Sequence, residues 1–223
     1  MTIVGISGKI GAGKNYLASA LIEELQKRGY TTNEASFATP LKSELTSIIS
    51  YIRENLHTGQ EEIVYAGVAE KYNMPYEQAV TIVDYITDDI QNETSPLDGY
   101  SRTEGIRRAL QYLGTDVRRS VDDQYWVKRF HTDVPTEDFV FVTDVRFANE
   151  ADSVKDNGGL ILRLEPPAEI VAERVNARDG VQYSEAAHQH ISETALDNYP
   201  RFDLVISTST FDVEDIVDFL TSN

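Results

Sequence analysis

Apolar residues along the chain follow two patterns, short β-branched runs and longer stretches with helical spacing. The short runs predict strands at 2–7, 33–38, 139–143, 160–164 and 202–207. The helical spacing predicts helices at 14–28, 41–55, 101–121, 168–177 and 213–220. Because strands and helices alternate, we expect an α/β fold in which a parallel sheet carries helices on both faces.

Segment 57–100 departs from this alternation. It is acidic and rich in Tyr, and Lys71 is its single Lys or Arg. Two helices fit the segment, at 61–72 and 76–90. We therefore predict one domain over 1–223 with a helical insertion at 57–100. The insertion could cover a substrate site or form a dimer interface.

Composition excludes several classes of site and partner. The chain has 223 residues, no cysteine and a net charge of −17. Without cysteine there is no disulfide framework, thiol nucleophile or cysteine metal site. No apolar run approaches the ~18 residues of a membrane span, and the first strand leaves no room for a signal peptide. We expect a soluble cytoplasmic protein with no membrane partner, and the charge argues against a nucleic-acid partner.

A glycine-rich segment lies between the first predicted strand and the first predicted helix. It reads Gly8-Lys-Ile-Gly-Ala-Gly-Lys-Asn15, the pattern of a phosphate-binding loop (P-loop). Its backbone N–H groups are expected to point at a β-phosphate, and Lys14 to bridge the β- and γ-phosphates. The alternative is a glycine-rich turn with a surface lysine. The predicted nucleotide-binding residues are Gly8, Lys9, Gly11, Ala12, Gly13, Lys14, Asn15 and Tyr16.

Asn15 is the one departure from the loop pattern, because Ser or Thr usually stands there and its hydroxyl contacts Mg²⁺. An amide oxygen is a weaker ligand, or it can hold a metal-bound water. We therefore expect Mg²⁺ to be held mainly by phosphate oxygens and water, with Asn15 and Asp144 contributing through water.

Asp144 ends the apolar run Phe139-Val-Phe-Val-Thr, and Arg146 and Glu150 follow shortly after it. The carboxyl ends of parallel strands form the edge at which open α/β sheets bind ligands. We expect Asp144 to face the metal or the acceptor group there. The alternative is an Asp that caps the next helix.

The predicted helix at 101–121 begins a basic region. Residues 102–129 carry seven basic and four acidic side chains. A phosphorylated acceptor gripped by arginine explains this concentration better than a solvated helix with i,i+4 ion pairs. Trp126 could stack on a base or pack in the core.

Arg174 and Arg178 lie one helical turn apart, followed by Asp179-Gly180. Such a pair suits a lid, at about 170–190, that stabilises charge on a transferring phosphoryl group. The alternative is a favourable interaction with the helix C-terminus. His188 and His190 lack a convincing third ligand, so we do not predict a metal site there.

These residues together resemble the deoxynucleoside monophosphate kinases of bacteriophage type, and the resemblance spans most of the chain. The segment at 144–150 is the most specific motif. The motifs that carry the resemblance are Gly8-Lys-Ile-Gly-Ala-Gly-Lys14, Phe37-Ala-Thr-Pro-Leu-Lys42, Leu113-Gly-Thr-Asp116, Val142-Thr-Asp-Val-Arg-Phe-Ala-Asn-Glu150 and His190-Ile-Ser-Glu193.

The resemblance implies a P-loop kinase fold, ATP and Mg²⁺ as cofactors, a deoxynucleoside monophosphate as substrate, and a homodimer. If the protein is viral, it implies residence in the host cytoplasm. The residues it implies for catalysis are Lys14, Asp144, Arg146, Glu150, Arg174 and Arg178. The substrate-binding residues, in the acceptor region at 101–130 and before it, are expected to be Phe37, Lys42, Arg107, Arg108, Gln111, Thr115, Asp116 and Trp126.

Two other functions remain open from the sequence. One is another small-molecule P-loop kinase, acting on dephospho-coenzyme A or a nucleoside. The other is a nucleotide-binding switch with little catalysis, for which the unusual Asn15 leaves room.

Overall fold

A parallel sheet organises the first part of the fold. The computed structural model describes residues 1–57, 59–91, 103–132, 134–179, 191–207 and 211–222. The strands are β1 (Thr2–Gly8), β2 (Thr32–Ala35), β3 (Phe139–Val142), β4 (Leu160–Leu164) and β5 (Leu204–Ile206). They pair in parallel in the order β2-β3-β1-β4-β5. The α/β fold with a parallel sheet is therefore confirmed.

Helices follow the strands as the alternation predicts. They are α1 (Lys14–Lys27), α2 (Ala38–Asn55), α3 (Glu61–Lys71), α4 (Tyr76–Gln91), α5 (Glu104–Gln111), α6 (Tyr125–Thr132), α7 (Ala148–Asp156), α8 (Ala168–Asp179), α9 (Ile191–Thr194) and α10 (Val213–Ser222). None of the helices that the structure describes has the length and apolar character to cross a membrane.

The chain divides into two compact units. The first comprises Met1–Phe37 and Phe130–Asn223, and the second is Ala38–Arg129. The partition that the sequence predicts, into one domain with an insertion, an acceptor region and a lid, stays a prediction.

The first unit is built on the sheet. β1 is its central strand, and Val4 and Ile6 are fully buried in a cluster with side chains of α1 and α10. Ala151 and Val154 of α7 are buried outside that cluster, and α7 packs on β1 and β4. The sheet is thus covered on both faces, and its central strand leads directly into the glycine-rich loop.

The second unit is helical. Its core joins buried side chains of α2, α3, α4 and α5, including Leu45, Ile48, Val64 and Ile82. Both helices predicted for 57–100 are present as α3 and α4. α2 begins at Ala38, earlier than the sequence suggests, because Pro40 lies in its first turn, where a missing N–H breaks no helical bond.

The helix predicted at 101–121 is not one continuous α-helix. It begins at Glu104, where the Thr103 hydroxyl accepts the Ile106 N–H at 3.3 Å. It then changes to a π-helical segment at Tyr112–Arg119. The indole N–H of Trp126 donates to the Gly114 carbonyl at 3.0 Å, so this carbonyl has a partner outside the helix. π-Helical turns are frequent at functional sites, and this one carries two predicted substrate residues, Thr115 and Asp116.

Candidate functional site

The glycine-rich loop joins the central strand to α1. Gly11 and Gly13 have φ of 80° and 97°, values that side-chain-bearing residues rarely adopt. Gly13 is the N-cap of α1, and no side chain caps this helix. The N–H groups of a first helical turn have no partner within the helix, so they are open to an anion. The loop therefore fits a nucleotide polyphosphate.

Lys14 folds back over this loop. Its ammonium donates to the carbonyl oxygens of Gly8, at 2.6 Å, and Lys9, at 3.0 Å. Among the described residues, no carboxylate lies within ion-pair distance of it. Burial, with a smaller effect from Arg146, lowers the pKa of Lys14 to about 8. The Lys14 ammonium is therefore a buried positive charge without a carboxylate in ion-pair contact among the described residues, which favours the binding of a phosphate.

This pKa leads to a pH prediction for nucleotide binding. A polyphosphate stabilises the charged form of Lys14 and so raises its pKa from about 8. We expect ATP binding at pH 9 to take up close to one proton and to be weaker than at pH 7. Isothermal titration calorimetry in buffers of different ionisation enthalpy measures this uptake. Equal affinity at both pH values without proton uptake would contradict the lowered pKa.

Asp144 lies two residues after the end of β3. Its carboxylate accepts the Ser36 hydroxyl at 2.6 Å and the Phe37 N–H at 3.1 Å. Phe37 is buried and stacks on Phe130, with ring centroids 4.1 Å apart. These contacts fix Asp144 at the strand end. Asp144 and Asn15 offer the oxygen ligands that Mg²⁺ prefers.

Glu150 plays a clear structural part. It is buried, and its carboxylate accepts the N–H groups of Arg146, at 2.8 Å, and Phe147, at 3.1 Å. Those N–H groups lie just before α7, so Glu150 stabilises the beginning of this helix. The capping role considered for Asp144 thus belongs to Glu150, whose expected part in catalysis stays a prediction.

Arg146 meets a residue that sequence reasoning did not select. Its guanidinium forms an ion pair with Glu193 of α9. The other carboxylate oxygen of Glu193 accepts the N–H of Ile10 in the P-loop, at 2.9 Å. Glu193 lies within the His190-Ile-Ser-Glu193 motif, which is the signal that could have indicated it.

A second ion-pair network lies beside the loop. Arg163, buried in β4, donates to the Ser7 hydroxyl at 3.1 Å and to Asp197 at 2.9 Å. Asp197 also pairs with Lys9, at 3.1 Å. Segment 193–197 therefore contacts the P-loop at two consecutive residues, Lys9 and Ile10. The sequence gives no signal for this contact.

Arg174 of α8 is close to the P-loop. Its guanidinium donates to the Ala12 carbonyl at 3.1 Å. It also lies 3.1 Å from the position that a Cβ on Gly13 would occupy. This placement suits the predicted phosphate role. The side chain of Arg178 and the whole of 180–190, which includes His188, lie outside the described residues.

The predicted substrate residues after Phe37 belong to the helical unit. Arg107, Arg108 and Gln111 are exposed on α5, and Lys42 is partly buried on α2. The Arg108 guanidinium lies over the Tyr85 ring, 4.2 Å from its centroid. α5 thus offers a basic surface of the kind that binds an anion.

Other basic and aromatic residues of this unit have structural contacts. Arg118 forms an ion pair with Glu44, with its Nε 2.8 Å from the carboxylate, so it serves this unit's own packing. Trp126 is buried, and its N–H is bonded to Gly114. These contacts agree with the core-packing interpretation of Trp126, and its contact with substrate stays a prediction.

A metal site made by protein groups alone is not evident. The described residues contain no group of three or more His, Cys, Asp or Glu side chains that could hold a metal ion. The expectation that phosphate oxygens and water would supply most ligands of a metal ion at the P-loop, with Asn15 and Asp144 contributing, stays a prediction.

Comparison with known proteins identifies the family. The profile of deoxynucleotide monophosphate kinases matches residues 63–209, about two thirds of the chain. The chain belongs to the deoxynucleotide monophosphate kinase family. A protein of Acanthamoeba polyphaga mimivirus, provisionally named a deoxynucleotide monophosphate kinase, is 28% identical over 182 residues that cover 75% of each chain. The resemblance to phage-type deoxynucleoside monophosphate kinases is confirmed.

Solved structures are only distantly similar to this kinase. Protein TT1252 of Thermus thermophilus is 18% identical, with a TM-score of 0.42 over 99% of this chain and 96% of its own. Shikimate kinase of Acinetobacter baumannii is 12% identical, with a TM-score of 0.40 over 100% and 92%. Likenesses of this size add nothing to what the sheet itself shows. Its strand order, with the P-loop after the central strand, is that of a P-loop kinase.

Proposed function

We propose that the protein transfers the γ-phosphoryl group of ATP to the 5′-phosphate of a deoxynucleoside monophosphate, giving the diphosphate. The observation that carries this proposal is the glycine-rich loop after the central strand, where Lys14 donates to two carbonyl oxygens and the charge of Arg146 is near enough to lower its pKa. Bound ATP supplies the phosphoryl group, and Mg²⁺ neutralises part of its charge.

The donor side of the reaction rests on the P-loop. The open N–H groups at the start of α1 bind phosphate oxygens, and Lys14 turns from the carbonyls of Gly8 and Lys9 to the phosphates. Arg174 is close enough to the loop to stabilise charge on the transferring group. Asp144 and Asn15 are the residues that would hold Mg²⁺, through its water ligands, and the ion would neutralise phosphate charge there.

The acceptor side needs positioning more than proton removal. A phosphate monoester is ionised near neutral pH, so no strong general base is required. Arg107 and Arg108 are exposed and basic, and they bind the acceptor phosphate. Holding both phosphates in line lowers the barrier by orientation and by charge neutralisation. Glu150 accepts the backbone N–H of Arg146 and so helps to position this residue, beside the part in catalysis predicted for it.

A coupled assay of ADP release tests the proposal. ATP and Mg²⁺ are offered with each of the four deoxynucleoside monophosphates, with dephospho-coenzyme A, and with nucleosides. At least one deoxynucleoside monophosphate is expected to stimulate ADP release well above the rate with ATP alone. If only dephospho-coenzyme A or a nucleoside stimulated ADP release, the acceptor would be that compound and not a deoxynucleoside monophosphate. If the protein bound ATP and no acceptor stimulated ADP release, it would be a nucleotide-binding switch with little catalysis.

A further inference from the structure

We propose that Glu193 is a positioning residue for phosphoryl transfer, holding the P-loop and the Arg146 guanidinium in one fixed arrangement. Its carboxylate makes one contact with each, the ion pair to Arg146 and the 2.9 Å bond from the Ile10 N–H. The inference rests on the proposed function, since Arg146 matters only if phosphate is transferred beside it.

Burial makes this pair of contacts rigid. The side chain of Glu193 is 5% exposed, whereas that of Arg146 is 42% exposed. A buried carboxylate that lost either partner would carry an unsatisfied charge, so its two bonds hold it in place. Arg146 is then held at its guanidinium by a carboxylate that has little freedom to move.

The neighbouring network supports the same assignment. Asp197, four residues after Glu193, pairs with Lys9, and it is held by the buried Arg163. Segment 193–197 thus fixes two consecutive P-loop residues through two carboxylates. Carboxylates weaken phosphate binding by repulsion, so their presence at a phosphate loop needs a compensating benefit. Fixed loop geometry, which a transition state requires, is that benefit.

A substitution that removes only the charge of Glu193 distinguishes a positioning role from a role in ATP binding. Glu193→Gln keeps the size of the side chain and an acceptor for the Ile10 N–H, but it removes the ion pair with Arg146. We expect kcat to fall about tenfold, less than the ~10²-fold cost of a 1 Å misplacement. The KM for ATP should not rise, because the variant removes a negative charge near the phosphates.

Asp203, the residue before β5, offers a matched control. Asp203 accepts the Ile161 N–H at 2.7 Å and pairs with Lys155 at 2.6 Å, the same two kinds of contact as Glu193. Asp203→Asn should lower the melting temperature and leave kcat unchanged. A Glu193→Gln variant that also loses only stability would show that Glu193 is structural and would overturn the proposal.

A double-mutant cycle tests whether Glu193 acts through Arg146. In an Arg146→Met background, Glu193→Gln should cost little further kcat, because the partner is already gone. If the two substitutions each lowered kcat by a factor that multiplied in the double variant, Glu193 would not act through Arg146, and the proposal would be overturned. If Glu193→Gln does not fold, Glu193→Asp, which keeps the charge on a shorter side chain, should retain folding and part of kcat. Full kcat in Glu193→Asp would then overturn it.

A result that contradicts the proposed function can be distinguished from a result that contradicts the role of Glu193. If no deoxynucleoside monophosphate stimulates the unaltered protein, the acceptor class is wrong, and the same variants are measured on the acceptor that does stimulate it. If no acceptor stimulates ADP release, the rate of the slow hydrolysis of ATP is measured instead. Unchanged kcat in Glu193→Gln, by whichever of these readouts applies, overturns the role of Glu193.

Discussion

Replacing Lys14 by Met is expected to abolish turnover and to raise the melting temperature of the nucleotide-free protein. The loss of kcat should be on the order of 10²–10³-fold, because the ammonium stabilises charge that develops on the transferring phosphate. The gain in stability follows from the lowered pKa of Lys14, about 8 against an ordinary 10.5. Removing this buried charge should raise the free energy of unfolding by up to ~3 kcal/mol.

The pH dependence of this gain has a definite sign. Below pH 8 Lys14 is charged in both the folded and the unfolded protein, so the folded state bears the whole desolvation cost. Between pH 8 and 10.5 the folded state loses the proton first, and the cost disappears. The stability difference between Lys14→Met and the unaltered protein should therefore be largest at pH 7 and should shrink above pH 8.

Thermal unfolding with and without ATP measures these effects. A gain of ~3 kcal/mol corresponds to roughly 6–12 °C in a chain of this size. ATP should stabilise the unaltered protein and have much less effect on Lys14→Met. Lys155→Met is the control, because Lys155 pairs with Asp203 and its loss should lower the melting temperature while turnover is kept. A less stable, still active Lys14→Met variant would place the phosphate site elsewhere.

Replacing Asp144 by Asn is expected to lower activity about 100-fold and to raise the Mg²⁺ concentration needed for half-maximal rate. The amide is nearly the same size and keeps an oxygen for Ser36 or Phe37, so the fold should survive. What it loses is the negative charge that attracts a metal ion and its waters. Initial rates over a range of Mg²⁺ concentrations measure the shift.

Asp138 is the matched control for this variant. Its carboxylate accepts the N–H and the hydroxyl of Thr31, both at 2.8 Å, so it also binds one backbone N–H and one hydroxyl. Asp138→Asn should change neither the rate nor its Mg²⁺ dependence. If Asp144→Asn behaved like Asp138→Asn, the carboxylate would only anchor the segment around Phe37, and the proposed metal role would be wrong.

The parallel sheet and the position of the glycine-rich loop could be predicted from the sequence, because both follow from local pattern. The strand order could not, because it depends on contacts between distant segments. Short apolar runs gave the strands, and the glycines after β1 require a tight turn into a helix. The π-helical segment at Tyr112–Arg119 could not be predicted, because it involves the Trp126 indole, which meets Gly114 only after folding.

The site was harder to predict, because its residues meet across long stretches of chain. Glu193 and Ile10 are 183 positions apart, and no spacing rule links them. Glu150 carries a charge beside Arg146 and so resembles a catalytic group, yet its carboxylate binds backbone N–H groups. Likewise, the basic stretch suggested free arginines, whereas Arg118 pairs with Glu44. The sequence shows which side chains are charged, but only the folded structure shows which ion-pair partners and N–H groups stabilise them.

Transfer of a labelled phosphoryl group tests the central claim most directly. The protein is given ATP labelled with ¹⁸O in the γ-phosphoryl group, together with Mg²⁺ and the deoxynucleoside monophosphate that stimulates it best. Mass spectrometry should find the label in the deoxynucleoside diphosphate, and not in Lys14→Met reactions. Label that appears only in free phosphate would mean that water accepts the group, and would contradict the kinase reaction proposed for this site.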